Sequence, residues 1–320
     1  MPWSGRAAPP PRPDAAGTIA VGTASPAFDR WLRTREAPAR ATVLGVDLTT
    51  ILELADHGRD VFVGIGPQYP WGGLYGGQIV AQALMAASAT VPEELGVHSL
   101  RAYFIRRGDH DEPVRYEVDR IRDGRSFATR RVVARQAVGA ILNLEASFQR
   151  DERSADVETL APPPDLPVPD QLEGSSWSAA FERAFVPSDR VSSSIERDGR
   201  GRATAWRRTT EPIGDDRVRH AAALAYMSDD LPTDAVVQAH PVRNEPDETL
   251  YRALFTASLD HTIWFHRPLQ ADQWHVHDFT CHTFVGGRGL SLGHVFALDG
   301  THVATVAQEV LLRDTRERDT

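Results

Sequence analysis

Two adjacent carboxylates, Asp229 and Asp230, follow a segment that is apolar almost throughout, residues 220–228. Such a pattern is typical of a buried helix, and Pro232 ends or kinks that helix. Carboxylates at the C-terminal end of a helix oppose its macrodipole, so helix stability does not explain them. Burial could raise the pKa of either carboxyl toward neutrality and make it a general base. The alternative interpretation is a pair of exposed acids in a loop.

A second pattern, G-L-S-L-G from Gly289 to Gly293, matches the G-x-S-x-G nucleophile elbow of serine hydrolases. That elbow needs a strand before the serine and a helix after it. Here alternating strand residues and an Asp299-Gly300 turn follow instead. The sequence therefore disfavours Ser291 as a nucleophile.

Several histidines crowd into one region, which could suggest a metal site. The imidazole and thiol groups of this region belong to His261, His266, His275, His277, Cys281 and His282. His275 and His277 share one face of a strand, but no third ligand stands at a recognised zinc spacing. We therefore expect no metal, and we keep His261 and His266 as residues that could line the site.

The composition excludes several classes of function. A chain of 320 residues suits two domains or one domain of two similar halves, and its net charge of -9 argues against a general nucleic-acid partner. All 35 basic residues are arginine, so no lysine can serve as base or Schiff base. The single cysteine, the lack of a secretory signal and the lack of any run of about 18 apolar residues favour a cytoplasmic protein without a membrane span.

The first part of the chain changes character twice. Residues 1–40 are rich in Pro, Ala and Arg, which predicts a flexible extension. Asp47 is expected to cap a helix that runs through about Leu54 and ends near Gly58, and residues 60–65 follow as a strand. Residues 72–77 are rich in glycine and precede a predicted helix over 78–90. Because the glycine run lacks the spacing and the lysine of a phosphate loop, it indicates close backbone packing.

After these helices the hydrophobic period falls to two, which predicts strands. The first series covers residues 97–105, 114–121, 126–135 and 140–148, with tight turns at Asp123-Gly124 and Val138-Gly139. A weaker strand signal at 203–208 precedes the buried helix at 220–228. The second series covers residues 254–265, 274–280, 290–298 and 302–312.

The two series repeat with a period of roughly 160 residues. Arg125 lies 25 residues before the end of the first series at Arg150, and Arg288 lies 25 residues before Arg313. This predicts an α+β fold in which each half is an antiparallel sheet wrapped around a helix, with the two sheets joined into one continuous sheet. The predicted boundaries are an extension at 1–40, an N-terminal unit at 41–150, a Pro-rich acidic linker at 151–180 and a C-terminal unit at 181–320.

Short motifs in both halves resemble those of the type II acyl-CoA thioesterases. In the first half these are Y-G-G-Q from Tyr75, H-S-L from His98, Y-F-I-R from Tyr103, R-D-G-R-S-F-A-T-R-R from Arg122 and A-S-F-Q from Ala146. In the second half these are A-Y-M-S-D from Ala225, L-D-H-T-I-W-F-H-R-P from Leu259, G-R-G from Gly287 and V-A-T-V-A-Q-E from Val303. The resemblance covers roughly residues 45–150 and 215–313.

This resemblance implies a double hotdog fold and hydrolysis of fatty acyl-CoA to a free fatty acid and CoA, with no metal or cofactor. The catalytic positions of the family fall on Asp229, Ser258 and Gln308. Asp229 would be the base, with Ser258 and Gln308 orienting the attacking water and Asp230 as the spare base. The hydroxyl residue is usually threonine, so serine loses the stiffness of a β-branched side chain.

Two further features of the family positions distinguish this chain. Val310 stands where the family usually has glycine. Glu145 occupies the position in the repeat that corresponds to Gln308, so we expect no second site in the first half.

The resemblance also implies partners and leaves alternatives. Homo-oligomers are expected by family analogy alone. Apolar walls for the acyl chain are expected from Trp264, Phe265 and Phe104, and candidate ligands of the CoA phosphates are Arg106, Arg125, Arg267 and Arg288. One alternative is a double-hotdog enoyl-CoA hydratase, although the chain shows no hydratase motif. The other is a hotdog protein that binds acyl-CoA without turnover.

Overall fold

The computed structural model describes residues 45–187, 190–191, 201–244 and 253–316. In this described part the helices are few and short. They are α1 (Leu48–Ile51), α2 (Gly76–Ser88), α3 (Arg217–Ser228) and α4 (Leu231–Ala239), with 3-10 helices at Pro169–Gln171 and Pro241–Asn244. Among these helices, none has the length and apolar character that crossing a membrane requires.

Strands are the main regular structure of the described chain. They are β1 (Leu54–Asp56), β2 (Val61–Gly64), β3 (Leu95–Phe104), β4 (Val114–Asp123), β5 (Phe127–Gln136), β6 (Gly139–Arg150), β7 (Phe181–Val186), β8 (Arg202–Thr209), β9 (Leu254–Ser258), β10 (Asp260–Phe265), β11 (His275–Val285), β12 (Arg288–Ala297) and β13 (His302–Asp314). Along β13 buried and partly exposed residues alternate, which is the period of a strand with one face in the core.

The strands form one antiparallel sheet in the order β1-β2-β4-β5-β6-β3-β10-β13-β12-β11-β8-β7, and β9 also pairs with β13. Counted outward from the β3–β10 contact, the two halves have equivalent orders, β3-β6-β5-β4 and β10-β13-β12-β11. The innermost strand is β3 in the first half and β10 in the second, and the last strand of each half, β6 or β13, lies beside it. The predicted large antiparallel sheet with few helices is thus confirmed.

The two long helices, α2 and α3, pack against each other in the main core. Both are rich in buried alanine, which lets their backbones approach closely. At the start of α2, Gly77 lies against the carbonyl oxygen of Tyr226 in α3, so a Cβ at this position would collide with that atom. The glycine run before α2 therefore serves close backbone packing, as the sequence indicated.

Two of the predicted elements are wrong in their bounds. The first helix ends at Ile51, and Leu54–Asp56 is a strand that pairs with β2 around a turn at Gly58, whose φ is +106°. Glycine adopts this conformation without strain, so the residue that was expected to end a helix makes a hairpin turn. The single strand predicted over 254–265 is two strands, because β9 and β10 pair with different parts of β13.

The predicted linker is exposed from residue 151 to residue 161. Beyond that point it is partly packed on the sheet, because the indole N–H of Trp206 donates to the carbonyl oxygen of Pro167 at 2.8 Å. Leu166 and Leu172 pack against the cluster that contains Trp206 and Phe296. The strand signal at 203–208 is β8, and β7 lies in the same stretch, residues 176–218, where the sequence indicates strand material without clear bounds. The extension predicted at 1–40 lies outside the described residues.

Candidate active site

The end of α3 meets the beginning of α2 at Asp229. This residue is the C-cap of α3, and its Oδ2 accepts a hydrogen bond from the backbone N–H of Gly77 at 2.9 Å. The side chain is buried, with the residue 5% exposed. The interpretation of the two acids as exposed loop residues is therefore wrong for Asp229. Its carboxylate lies at the positive end of the α2 dipole, which offsets the unfavourable end of α3.

Ser258 and Gln308 complete a hydrogen-bonded group around this carboxylate. The hydroxyl of Ser258 donates to Asp229 Oδ1 at 2.9 Å, and Gln308 Nε2 donates to Ser258 Oγ at 2.8 Å. Ser258 ends β9 opposite Val310, and Gln308 is buried two residues away on β13. The structure thus brings together the three side chains that the sequence predicted to share a site.

The carboxyl of Asp229 is electrostatically suited to accept a proton. Burial raises its pKa from 3.8 to about 7, although the hydrogen bonds from Ser258 and Gly77 act in the opposite direction. At neutral pH, a carboxyl with a pKa near 7 is ionised in a large fraction of the molecules, and it is basic enough to hold the proton that it removes. A Cβ at Gly76 would lie 2.6 Å from Asp229 Oδ2 and 2.9 Å from the ring of Phe104, so glycine keeps this approach open.

Asp230 has a different environment, and its prediction as a spare base is wrong. Its Oδ2 lies 2.5 Å from nitrogens of both Arg183 and Arg207, and the indole N–H of Trp177 donates to Oδ1 at 3.0 Å. Burial alone would raise its pKa, but the two guanidinium groups outweigh burial and hold the pKa at about 2. Asp230 is a fixed anion, and its charge adds to the elevation of the pKa of Asp229.

His261 extends the group on its other side. Its Nδ1 lies 2.5 Å from Gln308 Oε1, and its Nε2 lies 2.9 Å from Ser228 Oγ. Burial lowers the pKa of His261 to about 4, so the ring is neutral. The sequence left His261 and His266 as equal candidates. His266 is exposed, and its Nε2 lies 2.9 Å from Thr305 Oγ1 rather than near Gln308.

An aromatic cluster surrounds the end of α3, and the sequence gave no indication of it. The centroids of neighbouring rings lie 4.9 to 6.2 Å apart, and the rings belong to Tyr69, Trp71, Tyr75, Trp177, Phe181 and Tyr226. The hydroxyl of Tyr75 donates to the carbonyl oxygen of Tyr226 at 2.8 Å, so the cluster ties α2 to α3. These residues come from widely separated segments with different periods, so no single sequence pattern connects them.

The other sequence candidates lie elsewhere in the fold. Ser291 is inside β12, opposite Gln308 on β13, with strand residues on both sides, so it is not on a strand-to-helix elbow. Trp264 stands next to the inward-facing Ile263 and therefore points to the other face of the sheet, where it contacts the Arg101 guanidinium. It cannot line a pocket beside the helices.

Of the remaining candidates, the two phenylalanines lie at the site or in the core, and the arginines lie elsewhere. Phe104 lies beside Gly76 and Asp229, and Phe265 packs against the main core. Arg267 is paired with Asp156 and Glu158, and Arg288 with Glu309. The exposed Arg106 donates to the carbonyl oxygen of Ala140, and Arg125 is exposed.

Groups that could hold a metal lie outside the site. His275 and His277 are buried with ring centroids 5.0 Å apart. Among the described residues, the three such groups within 4.8 Å of one another are Asp109, His110 and Asp111, in a loop between β3 and β4. Asp109 accepts from the backbone N–H of Asp111, so part of this loop is explained by its own turn.

Glu145 does not occupy the structural position of Gln308. Its side chain is exposed on the outer face of β6, whereas Gln308 is buried. Counting residues from Arg125 and Arg288 does not allow for the irregular register in β5–β6 and β12–β13. The assignment of Glu145 to the position of Gln308 is therefore wrong, although no Asp, Ser and Gln group of the same kind is present at β6 in the described part of the first half.

Comparison with known proteins agrees with this geometry. Residues 66–149 match the acyl-CoA thioesterase N-terminal domain, and residues 156–312 match the acyl-CoA thioesterase C-terminal domain. Human acyl-coenzyme A thioesterase 8 is 32% identical over 289 residues, which cover 83% of this chain and 88% of that protein. Acyl-CoA thioesterase 2 of Haemophilus influenzae is 31% identical over 283 residues, which cover 83% and 97%.

Solved structures give the same result for the fold. The acyl-CoA thioesterase II TesB2 from Mycobacterium marinum aligns with a TM-score of 0.74 and 34% identity, covering 83% of this chain and 98% of that one. A hot dog fold protein from Alicyclobacillus acidocaldarius aligns with a TM-score of 0.65 at 21% identity, covering 83% and 97%. The fold is thus a hotdog fold, and the chain belongs to the type II acyl-CoA thioesterase family.

Proposed function

We propose that this protein hydrolyses the thioester of fatty acyl-CoA to a free fatty acid and CoA by direct attack of water. The observation that carries this proposal is the buried Asp229 carboxyl, whose pKa of about 7 suits a general base and whose Oδ1 accepts from Ser258. The relatives named as acyl-CoA thioesterases support the same reaction.

In this mechanism Asp229 removes a proton from the attacking water as the new C–O bond forms. The carbonyl carbon becomes tetrahedral, and the C–S bond then breaks. The thiolate of CoA leaves and takes the proton from Asp229, which restores the ionised carboxylate. No side chain forms a bond to the acyl group, so the mechanism has no covalent intermediate.

Ser258 and Gln308 hold the water in this proposal. Gln308 Nε2 carries two protons and gives one of them to Ser258 Oγ, so the other is available to the water. The N-terminal end of α2 lies beside Asp229, and its dipole favours the negative charge that develops on the carbonyl oxygen.

We also propose that the fold is a double hotdog. Its two hotdog units are residues 41–150 and 181–320, and residues 151–180 link them. The equal strand order on the two sides of the β3–β10 contact and the two matching domain families support this division. A cytoplasmic location and homo-oligomers belong to the same proposal. Sedimentation of the purified protein tests the oligomer directly.

The decisive experiment is the release of free CoA thiol from a panel of acyl-CoA esters, from acetyl to palmitoyl. Wild type is compared with Asp229→Ala and with Asp119→Ala, which removes an exposed aspartate paired with Arg131 on the outer part of the sheet. We expect turnover with wild type and Asp119→Ala, and a loss of roughly 10²–10⁴-fold with Asp229→Ala. Acyl-CoA that binds but stays intact would leave a binding protein, and turnover that survives in Asp229→Ala would exclude this base.

A further inference from the structure

A line of hydrogen bonds runs from Ser228 to Asp229 through three other side chains. Ser228 Oγ lies 2.9 Å from His261 Nε2, and His261 Nδ1 lies 2.5 Å from Gln308 Oε1. Gln308 Nε2 lies 2.8 Å from Ser258 Oγ, which lies 2.9 Å from Asp229 Oδ1. Apart from Ser258, which is partly exposed, all of these side chains are buried.

The chemistry of the groups fixes the direction of the bonds between Asp229 and His261. An ionised Asp229 only accepts, so Ser258 must donate its single proton to it and must accept from Gln308. The donor that faces Ser258 is then the Gln308 amide nitrogen, and the amide oxygen faces His261. Because that oxygen only accepts, His261 must carry its proton on Nδ1. Its bare Nε2 faces Ser228 Oγ at 2.9 Å, and the carbonyl oxygen of Ala225, 3.2 Å from Ser228 Oγ, competes for the single proton of that hydroxyl.

We propose that His261 is a positioning residue, whose Nδ1–H holds the Gln308 amide with its nitrogen toward Ser258 and the attacking water. The Gln308 amide oxygen selects the tautomer that makes this possible. The inference rests on the function proposed above, because it concerns the orientation of the group that holds the water.

Without His261 the amide of Gln308 has no fixed orientation. A turned amide presents its oxygen to Ser258, which then donates to Gln308 instead of Asp229. The attacking water also loses an N–H donor, because an amide oxygen cannot supply one. A catalytic group held in the wrong geometry by even about 1 Å can cost 10²-fold in rate.

Packing does not explain a histidine at this position. Across the sheet, His261 is opposite Ala102 on β3, and Ala102 is opposite Leu144 on β6. Both are buried and apolar, so this row of the sheet accepts apolar side chains. A buried imidazole costs free energy unless it is hydrogen-bonded, and its partners here are Gln308 and Ser228.

A double-mutant cycle tests the proposal in the CoA-release assay. We expect His261→Leu to lower kcat by about 10–100-fold with little change in KM, because orientation of the water is lost and substrate contacts are kept. His261→Asn can place an N–H near the position of Nδ1, so it should recover kcat to within about 5-fold of wild type. In a Gln308→Ala background, His261→Leu should cost less than about 2-fold, because there is no amide left to orient.

The tautomer gives a readout that does not depend on activity. In protein with ¹⁵N-labelled histidine, the resonances that disappear in His261→Asn identify His261, and we expect its proton on Nδ1 at neutral pH. Gln308→Ala removes the acceptor at Nδ1, so it should weaken the preference for that tautomer while the fold is retained, as unfolding temperature would show. A wild-type ring protonated on Nε2 would overturn the proposal.

The kinetic outcomes separate this proposal from the proposed function. Independent, multiplicative losses for His261→Leu and Gln308→Ala, with Asp229→Ala still inactive, would overturn the role of His261 and leave the thioesterase mechanism intact. Equal activity of His261→Leu and His261→Asn at equal unfolding temperature would do the same. Full activity in Asp229→Ala would instead remove the proposed mechanism itself.

Discussion

One row of cross-strand neighbours crosses the sheet on the face that forms the main core, and its character changes at the β3–β10 contact. In the N-terminal half the row is apolar, with Val118, Val132, Leu144 and Ala102. In the C-terminal half the row continues with His261, Gln308 and Ser291. All seven side chains are buried.

This difference separates what the fold needs from what the chemistry needs. The apolar half shows that the sheet and its helices pack well with Leu144 and Ala102 in this row. A buried polar group costs free energy unless its hydrogen bonds are fully made. Ser291 Oγ has no hydrogen-bond partner among the described residues. Stability alone therefore does not explain the polar half of the row, and the proposed site does.

The ends of the two long helices show the same contrast. At the end of α2 a buried arginine, Arg130, donates to the carbonyl oxygen of Thr90 at 2.9 Å. At the end of α3 a buried arginine, Arg207, donates to the carbonyl oxygen of Met227. A cation at the C-terminal end of a helix is the favourable arrangement, and both halves use it. The C-cap itself is Ala89 in α2 and Asp229 in α3, so Asp229 is the addition.

The largest expected effect comes from Asp229→Asn, which should be less active and more stable. The kcat should fall by roughly 10²–10⁴-fold, because the base is lost. The pKa in the folded protein, about 7, is above the ordinary 3.8, so the stability that this group contributes is present below pH 4 and lost as pH rises through 7. The asparagine variant avoids that loss, which amounts to at most about 4 kcal/mol.

Thermal unfolding at pH 4 and pH 8, beside the CoA-release assay, measures both changes. We expect the variant to unfold at a higher temperature than wild type at pH 8 and at a similar temperature at pH 4. A variant that is less stable than wild type at pH 8 would show that the carboxylate stabilises the fold. The difference between the C-caps Ala89 and Asp229 would then not indicate a catalytic role.

The second expected effect is on the pH dependence of the rate. Because Asp229 must be ionised to accept a proton, kcat/KM should fall about tenfold per pH unit below the pKa of about 7. Asp234 in α4 also has a pKa raised to about 7, by burial and by the charge of Asp230, so it could be confused with Asp229. The control is Asp234→Asn, in which the acid limb should keep its position. If this limb disappears in Asp234→Asn, the titration belongs to Asp234.

The sequence predicted which side chains meet better than it predicted the environment of each one. Asp229, Ser258 and Gln308 stand in recognisable motifs, and the register of β9 on β13 brings them together. The roles of Asp230 and His261 depend on partners that are distant in the chain. Asp230 is fixed as an anion by Arg183 and Arg207, and neither arginine stands in a pattern that indicates such a contact.

The fold was predictable where a period or a turn signal was strong. The strand series follow from hydrophobic periodicity, and the two long helices follow from runs of small and apolar residues. The repeat predicted that two similar sheets are joined, but it did not give the strand order. The side chain of Glu145 was misplaced because a shift of one residue moves a strand residue to the other face, and a count along the chain does not detect irregular register. The strand Leu54–Asp56 was missed because it is short and its partner strand comes after the turn.

The third expected effect is on stability alone, and it tests the apolar half of the row. Leu144→Gln places an amide among buried apolar neighbours that offer no hydrogen bond, so we expect a loss of about 2–4 kcal/mol in the free energy of unfolding. The kcat of the folded variant should stay within about 2-fold of wild type, because the apolar half of the row contains no polar side chain of the site. Denaturant unfolding and the CoA-release assay measure the two quantities.

The control for Leu144→Gln is its neighbour, Glu145→Gln. This exposed side chain is on the opposite face of β6, so the same new residue should change stability by no more than about 0.5 kcal/mol. If Leu144→Gln is also neutral, the apolar half tolerates polar residues, and the polar row of the other half no longer indicates selection for chemistry.

The smallest expected effect comes from Ser258→Thr, which introduces the hydroxyl residue usual in the family. The added methyl group restricts χ1, so the hydroxyl between Asp229 and Gln308 should be held more firmly, and kcat should rise by up to about 3-fold with KM unchanged. The matched control is Ser258→Val, which keeps the branched shape without the hydroxyl and should lose most activity. If threonine and serine are equally fast, the hydrogen bonds of Ser258 already fix its hydroxyl as firmly as β-branching would, and the loss of the branch has no catalytic consequence.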